Sequence, residues 1–334
     1  MQYLGKNRLS ADTYIEGLLG GNTVILSKAL SPIESRLEAD QALSMKVLEG
    51  ILANTGQSKR VGITGVPGVG KSTFIEVLGL YLVEKGHKVA VLTVDPSSQR
   101  TKGSILGDKT RMEQLSKSSG AFIRPSAAGK TLGGVAHHTR ESILLCEAAG
   151  YDVVLVETVG VGQSETLVRD MVDYFLLLMI AGAGDELQGI KKGIIEMADA
   201  LAITKADGEN LKQAQQAQTV YANALHLLTP ANSLWQPPIL TCSAKKNQGI
   251  DKIWDSIKSY SDLMTENGYL EEQRREQRLK WMQECIRLGI DRYLEHKRDN
   301  SSAIDHLQQK VKEGRLLPPQ AAAVILSELI WKKG

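Results

Sequence analysis

The sequence predicts an α/β protein: a doubly wound, mostly parallel sheet with helical extensions at both ends. Three observations predict it. Apolar β-like runs alternate with amphipathic helical stretches from about Arg60 to Tyr260. The run Val153-Val154-Leu155-Val156 is apolar without interruption, as a strand buried on both faces must be. A glycine-rich loop, Gly65-Val66-Pro67-Gly68-Val69-Gly70-Lys71-Ser72-Thr73, separates the first apolar run from a helical stretch.

Taken in order, Leu4 to about Ala53 reads as helix, with helical apolar spacing in Ser44-Met45-Lys46-Val47-Leu48-Glu49-Gly50-Ile51-Leu52 and a helix start at Ser31-Pro32. Strands are expected at Arg60–Thr64, Lys88–Val94, Ala121–Arg124, Val153–Val156, Tyr174–Ile180, Ala200–Thr204 and Pro238–Thr241. After Thr265 the chain turns rich in Glu, Gln and Arg, and Glu271-Glu272-Gln273-Arg274-Arg275-Glu276-Gln277-Arg278 reads as a charged helix outside the sheet core. It is either a solvated face or a dimerisation arm. The expected division is a helical extension over 1–57, a nucleotide-binding core over 58–262 and a helical arm over 263–334.

Composition sets the bounds. The 334 residues are 42% hydrophobic and 23% charged, an ordinary globular balance, and a formal net charge of +2 gives no ground for nucleic acid or an anionic membrane as the main partner. The run from Tyr174 to Gly184 is too short to span a bilayer, so no membrane insertion is expected. The amino-terminal residues lack the apolar core of a secretory signal, and the three cysteines, Cys146, Cys242 and Cys285, are far apart. They read as reduced core thiols of a cytoplasmic protein.

The glycine loop carries the chemistry. Between strand and helix, its glycines let backbone N–H groups converge on phosphate oxygens, and the helix terminus adds partial positive charge. Lys71 is expected to reach the β- and γ-phosphates and Ser72 to ligate Mg²⁺. This loop predicts a nucleoside triphosphate ligand.

Two later motifs choose the base. Thr204-Lys205-Ala206-Asp207 closes one expected strand, where doubly wound sheets bind ligands. The Asp207 carboxylate can accept from the ring N–H and the exocyclic amine of guanine. Adenine offers neither donor there and would leave the carboxylate unpaired. The Lys205 stem can lie along the base. Beyond the next strand, Thr241-Cys242-Ser243-Ala244-Lys245 can present a backbone N–H from Ser243, Ala244 or Lys245 to the guanine oxygen. The first position is Thr204, where most GTPases carry Asn; this removes an amide that commonly tethers the base loop and predicts weaker nucleotide binding with unchanged base preference.

Val153-Val154-Leu155-Val156-Glu157-Thr158-Val159-Gly160 supplies an acid at a strand end and, two spacers on, a glycine whose N–H can sense the γ-phosphate. Asp95 and Asp108 are further candidates for the Mg²⁺ shell beside Ser72 and Glu157. Lys71, Asp95, Glu157 and Gly160 are therefore the expected catalytic set. Val161 follows Gly160, where many regulatory GTPases place the glutamine that orients attacking water, and Gln163 lies two residues farther on. Slow hydrolysis is expected until a partner or a second copy completes the site.

These residues resemble the P-loop GTPases whose metal strand ends in glutamate rather than aspartate, and within them the methylmalonyl-CoA mutase-associated GTPase family, MeaB or ArgK. The likeness also includes Asp95-Pro96-Ser97-Ser98, Gly107-Asp108-Lys109-Thr110-Arg111-Met112, Glu157 to Glu165, and Gly184-Asp185-Glu186-Leu187-Gln188-Gly189-Ile190-Lys191. The resemblance implies a homodimeric, Mg²⁺-dependent GTPase that binds GTP and GDP. It also implies a chaperone of an adenosylcobalamin-dependent methylmalonyl-CoA mutase, gating cofactor loading and protecting that enzyme. By the family pattern Ser72, Asp95, Asp108 and Glu157 belong to the metal and switch region, and Gly184 to Lys191 relays nucleotide state. Alternatives are a GTPase that inserts nickel or cobalt and a transport-associated kinase. Metal insertion is disfavoured because His137-His138 is the one adjacent pair among six histidines, and neighbouring helical histidines point in different directions.

Overall fold

The computed structural model describes residues 8–35, 37–94, 112–125, 132–158, 164–182, 192–228, 233–299 and 302–327. Among these, seven parallel strands form one sheet: β1 (Lys59–Gly65), β2 (Val89–Val94), β3 (Ala121–Arg124), β4 (Val153–Thr158), β5 (Tyr174–Ile180), β6 (Ala200–Thr204) and β7 (Ile239–Thr241). Each lies where its apolar run places it, with some ends moved by a residue or two. The order is β3-β2-β4-β1-β5-β6-β7, so the chain builds outward on one side of β1 and then crosses to the other. The carboxyl end of β1 is the switch point at which such sheets hold ligands.

Helices α1 (Ala11–Leu19), α2 (Thr23–Ile33) and α3 (Glu38–Ile51) precede the sheet. Between strands come α4 (Lys71–Glu84), α5 (Glu113–Ser116), α6 (Leu132–Ala148), α7 (Ser164–Arg169), α8 (Lys192–Glu196) and α9 (Leu211–Leu228), and α10 (Ile250–Glu266) follows β7. Strand alternation assigns the two faces. Val153 and Leu155 point into a cluster with Phe74, Ile75 and Leu78 of α4 and Trp254 and Ile257 of α10. Val154 and Val156 point the other way, onto Ile143 and Cys146 of α6 and, beyond them, Leu26 and Leu30 of α2. With both faces covered, alternation in hydropathy disappears and the strand reads as continuously apolar.

One expected boundary moves. Ser31-Pro32 does not start a helix; Pro32 lies near the end of α2. That helix begins after Asn22, whose Oδ1 accepts from the N–H groups of Val24 and Ile25 at 3.0 and 3.1 Å. Asparagine supplies the cap that the sequence reading assigned to serine. The proline removes only one hydrogen bond close to the helix terminus, where little is lost.

The chain divides into two compact units, 1–277 and 278–334. Helix α11 (Tyr269–Asp299) begins in the first, and its opening turns are not a solvated face: Arg274 is buried there. Its guanidinium donates to both Asp173 oxygens at 2.8 and 2.7 Å, to the Ser58 carbonyl at 2.7 Å and to the Gly56 carbonyl. In the second unit, Leu279, Met282, Ile286, Ile290 and Tyr293 of α11 are exposed at helical spacing, and α12 (Ser302–Lys312) packs with α13 (Pro318–Leu326). Cys285 is exposed, whereas Cys146 and Cys242 are buried, so only two of the three are core thiols.

Candidate nucleotide site

β1 runs into the glycine loop at the centre of the sheet. A Cβ on Gly65 would stand 2.5 Å from the Leu178 carbonyl oxygen, and its φ of +151° lies in a region side chains avoid. Gly70, with φ of +97°, is the residue before α4 and has no side chain to cap it. The leading N–H groups of α4 are therefore left to an anion. Val66, Pro67, Gly68 and Thr73 form the accessible part of the loop, and Val69 is buried beneath it.

Lys71 is 9% exposed and folds back, its Nζ donating to the Gly65 carbonyl at 2.7 Å. Burial pushes its pKa down, against the upward pull of the nearby Glu157 and Glu165 carboxylates. The Ser72 hydroxyl donates to Glu157 Oε1 at 3.1 Å. The loop hydroxyl and the β4 carboxylate, separated by eighty-five positions in the chain, are thus adjacent. This oxygen pair fits Mg²⁺, which takes few carboxylates and keeps waters and phosphate oxygens. Among the described residues no three His, Cys, Asp or Glu side chains converge as a metal cluster.

The base motifs close over the same loop. Lys205, at φ +55°, donates from Nζ to the Gly68 carbonyl at 2.9 Å, and Asn210 braces it by donating to the Lys205 carbonyl at 2.8 Å. The Thr204 hydroxyl lies 2.8 Å from the Val69 carbonyl and 3.1 Å from that of Met179. The threonine hydroxyl thus reaches the phosphate loop from the position where most GTPases carry the amide. Ser243 is buried and donates to Asp207 Oδ2 at 2.8 Å, fixing that carboxylate at the edge of a cavity of about 260 Å³. Gly70, Thr73, Lys205, Asp207, Ala244 and Lys245 are among its walls.

Lys71, Ser72, Glu157, Thr204, Lys205, Asp207, Ser243, Ala244 and Lys245 are thus assembled around the end of β1. Asp95, Asp108 and Gly160 lie outside the described residues, as do Val161, Gln163 and the Gly184 to Lys191 segment. The sequence assigns no role to two site neighbours. Glu165, 1% exposed on α7, acts on Lys71, and Thr93 of β2 is buried beside Glu157. A charge opening a short helix and a hydroxyl inside Val91-Leu92-Thr93-Val94 were the available signals. His137 and His138 do not diverge as expected; both approach Glu141, at 3.5 and 3.3 Å. A larger cavity, about 520 Å³, lies at the opposite sheet end near Asp199, Trp235 and Tyr260, remote from this chemistry.

Comparison with known proteins agrees with this geometry. The chain is 50% identical over 268 residues to the GTPase ArgK of Escherichia coli, covering 80% of this chain and 81% of that one. It is 43% identical over 334 residues to the mitochondrial methylmalonic aciduria type A homolog of Mus musculus, covering 96% and 80%. A solved crystal structure of an LAO/AO transport system kinase superposes with a TM-score of 0.75 at 39% identity, covering 98% of this chain and 99% of that one. No helix among the described residues is long and apolar enough to cross a membrane. Residues 26–300 match the family described as methylmalonyl Co-A mutase-associated GTPase MeaB, and the chain belongs to that GTPase family.

Proposed function

We propose that this GTPase is Mg²⁺-dependent and acts as a chaperone of an adenosylcobalamin-dependent methylmalonyl-CoA mutase, gating cofactor loading and protecting the enzyme. The observation that carries the reading is the direct Ser72–Glu157 hydrogen bond beside Lys71. It links the phosphate loop to the carboxyl end of β4, just before Val159-Gly160 in the chain, so occupancy of the site bears on the segment that follows. In this reading Lys71 holds the β- and γ-phosphates, Ser72 and Glu157 serve the cation, and Asp207 reads guanine. Bound Mg²⁺ would neutralise charge developing on the transferred phosphoryl group.

We assign 58–262 to the GTPase core, 1–57 to its helical extension and 263–334 to a dimerisation arm. The exposed stripe Leu279, Met282, Ile286, Ile290 and Tyr293 supports the arm, since helical faces of this kind bury against a partner. The two buried free thiols favour a reducing, cytoplasmic setting. Turnover of the isolated chain is expected well below about 1 s⁻¹.

The test is a pull-down of cobalamin mutase by the full chain with GTP, GDP or no nucleotide. Retention that depends on the nucleotide supports the chaperone reading; no retention in any state removes it. The name of the 39%-identical structural neighbour favours a second reading, a transport-associated kinase. That reading requires the γ-phosphate to appear on an acceptor rather than as free phosphate, which following labelled GTP decides.

A further inference from the structure

The unused hydroxyl of Thr93 lies next to the phosphate and metal region. Thr93 is 3% exposed, and its Oγ1 has no hydrogen-bond partner. A buried hydroxyl left unpaired is destabilising, so its retention in an otherwise apolar strand asks for a ligand-side partner.

Register and alternation say what it faces. Thr93 pairs with Glu157 across β2 and β4, and Glu157 with Ile63 across β4 and β1. Val89 and Val91 of β2 point into the cluster that holds Phe74 and Ile75 of α4, whereas Ala90, Leu92 and Val94 point into the opposite one. Thr93 therefore faces the α4 side. Glu157 shares that face, since it accepts from Ser72 at the start of α4. Adjacent strands run about 4.8 Å apart, so neighbouring side chains on one face are within reach of a common water. Both Glu157 and Glu165 are buried here, and the nearby Lys71 cation is held back on the Gly65 carbonyl. This face of the sheet end combines buried carboxylates, the Ser72–Glu157 oxygen pair and an unpaired hydroxyl.

We propose that Thr93 is a positioning residue for the metal shell: its hydroxyl hydrogen-bonds a Mg²⁺-bound water beside Glu157. This rests on the reading of Ser72 and Glu157 as metal-shell groups. It adds a hydroxyl from β2 to the loop serine and the β4 acid. A cation-bound water would give the hydroxyl the partner that it lacks among the protein groups.

The test is titration of Mn²⁺ into the GDP-bound full chain, followed by electron paramagnetic resonance, with GDP affinity in EDTA measured beside it. Thr93→Val keeps the branched shape and removes the hydroxyl; Thr93→Ser keeps the hydroxyl. The expected result is about tenfold weaker Mn²⁺ binding for Thr93→Val and a change within about twofold for Thr93→Ser. GDP affinity in EDTA should be unchanged in both. Thr93→Ala repeats the measurement should the valine variant fail to fold. Wild-type Mn²⁺ affinity in Thr93→Val overturns the proposal, as does equal loss in Thr93→Ser or a matching loss of GDP affinity in EDTA. Glu157→Gln separates the two readings. If it loses Mn²⁺ while Thr93→Val does not, only the Thr93 role falls; if neither loses it, the metal reading falls too.

Discussion

The Thr204 hydroxyl stands 2.8 Å from the Val69 carbonyl, so the last residue of β6 is tied directly to the phosphate loop. One hydroxyl carries one proton, which the Val69 and Met179 carbonyls must share. The shorter contact favours Val69. Thr204→Val should leave that buried carbonyl unmet and loosen the join between base pocket and phosphate loop. A penalty of about 1–1.5 kcal/mol corresponds to roughly tenfold weaker GDP binding. Base preference should persist because Asp207 is untouched. Calorimetry with GDP and ADP checks both; undiminished GDP affinity would show that the contact carries no binding energy.

Lys71 is a buried cation whose hydrogen bond to the Gly65 carbonyl does not cancel the cost of its burial. Lys71→Ala should leave the nucleotide-free protein as stable as wild type or more so, because a poorly solvated charge is gone. GTP affinity should fall by about a hundredfold, since the β- and γ-phosphates lose their charged donor. Melting curves with and without GTP separate the effects. A large loss of stability without nucleotide would mean that the lysine is chiefly structural.

Ser243 donates to one oxygen of Asp207, and in the proposed role the other oxygen accepts from guanine. Asp207→Asn replaces an acceptor with a donor at that edge. Xanthine carries an oxygen where guanine carries its amine, so the variant should favour xanthosine diphosphate over GDP by about 2 kcal/mol, some thirtyfold. Competition binding of the two nucleotides measures it. Unchanged preference would remove Asp207 from base reading.

The strands were legible because burial on both faces writes itself as an unbroken apolar run, and the phosphate loop because its glycines and lysine are contiguous. Pairing across the sheet was not. Nothing local in Val91-Leu92-Thr93-Val94 says that Thr93 comes to lie beside Glu157, since register is fixed by the whole sheet. The contact between Thr204 and the phosphate loop was not legible for a related reason. Residue type at a motif position says what group is present, while the distance to Val69 depends on how β6 is seated. Arg274 was hidden within a strongly charged helix; a pattern of charges cannot show that one of them meets a buried carboxylate on another element.

Glu147 of α6 meets Arg60 of β1 through two bonds, Oε1 to Nε at 2.8 Å and Oε2 to Nη2 at 2.9 Å. The Ser58 hydroxyl and the Gly56 N–H also donate to it, at 2.6 and 2.8 Å. Burial works to raise its pKa, but the Arg60 charge and these four donors outweigh burial and hold it below the ordinary glutamate value of 4.5. The folded state thus binds its proton less readily than the unfolded chain. The resulting stability is complete above the unfolded value and is lost as pH falls through the depressed folded value. Glu147→Gln leaves Arg60 without its counter-charge in a largely buried setting and should cost about 3 kcal/mol at pH 7. The gap to wild type should narrow steadily below about pH 4.5, where wild type loses its own ionised carboxylate. Urea unfolding at pH 7, 5, 4 and 3 measures it. A gap of constant size across that series would mean that the side chain stabilises by shape and hydrogen bonding alone, and that its charge contributes nothing.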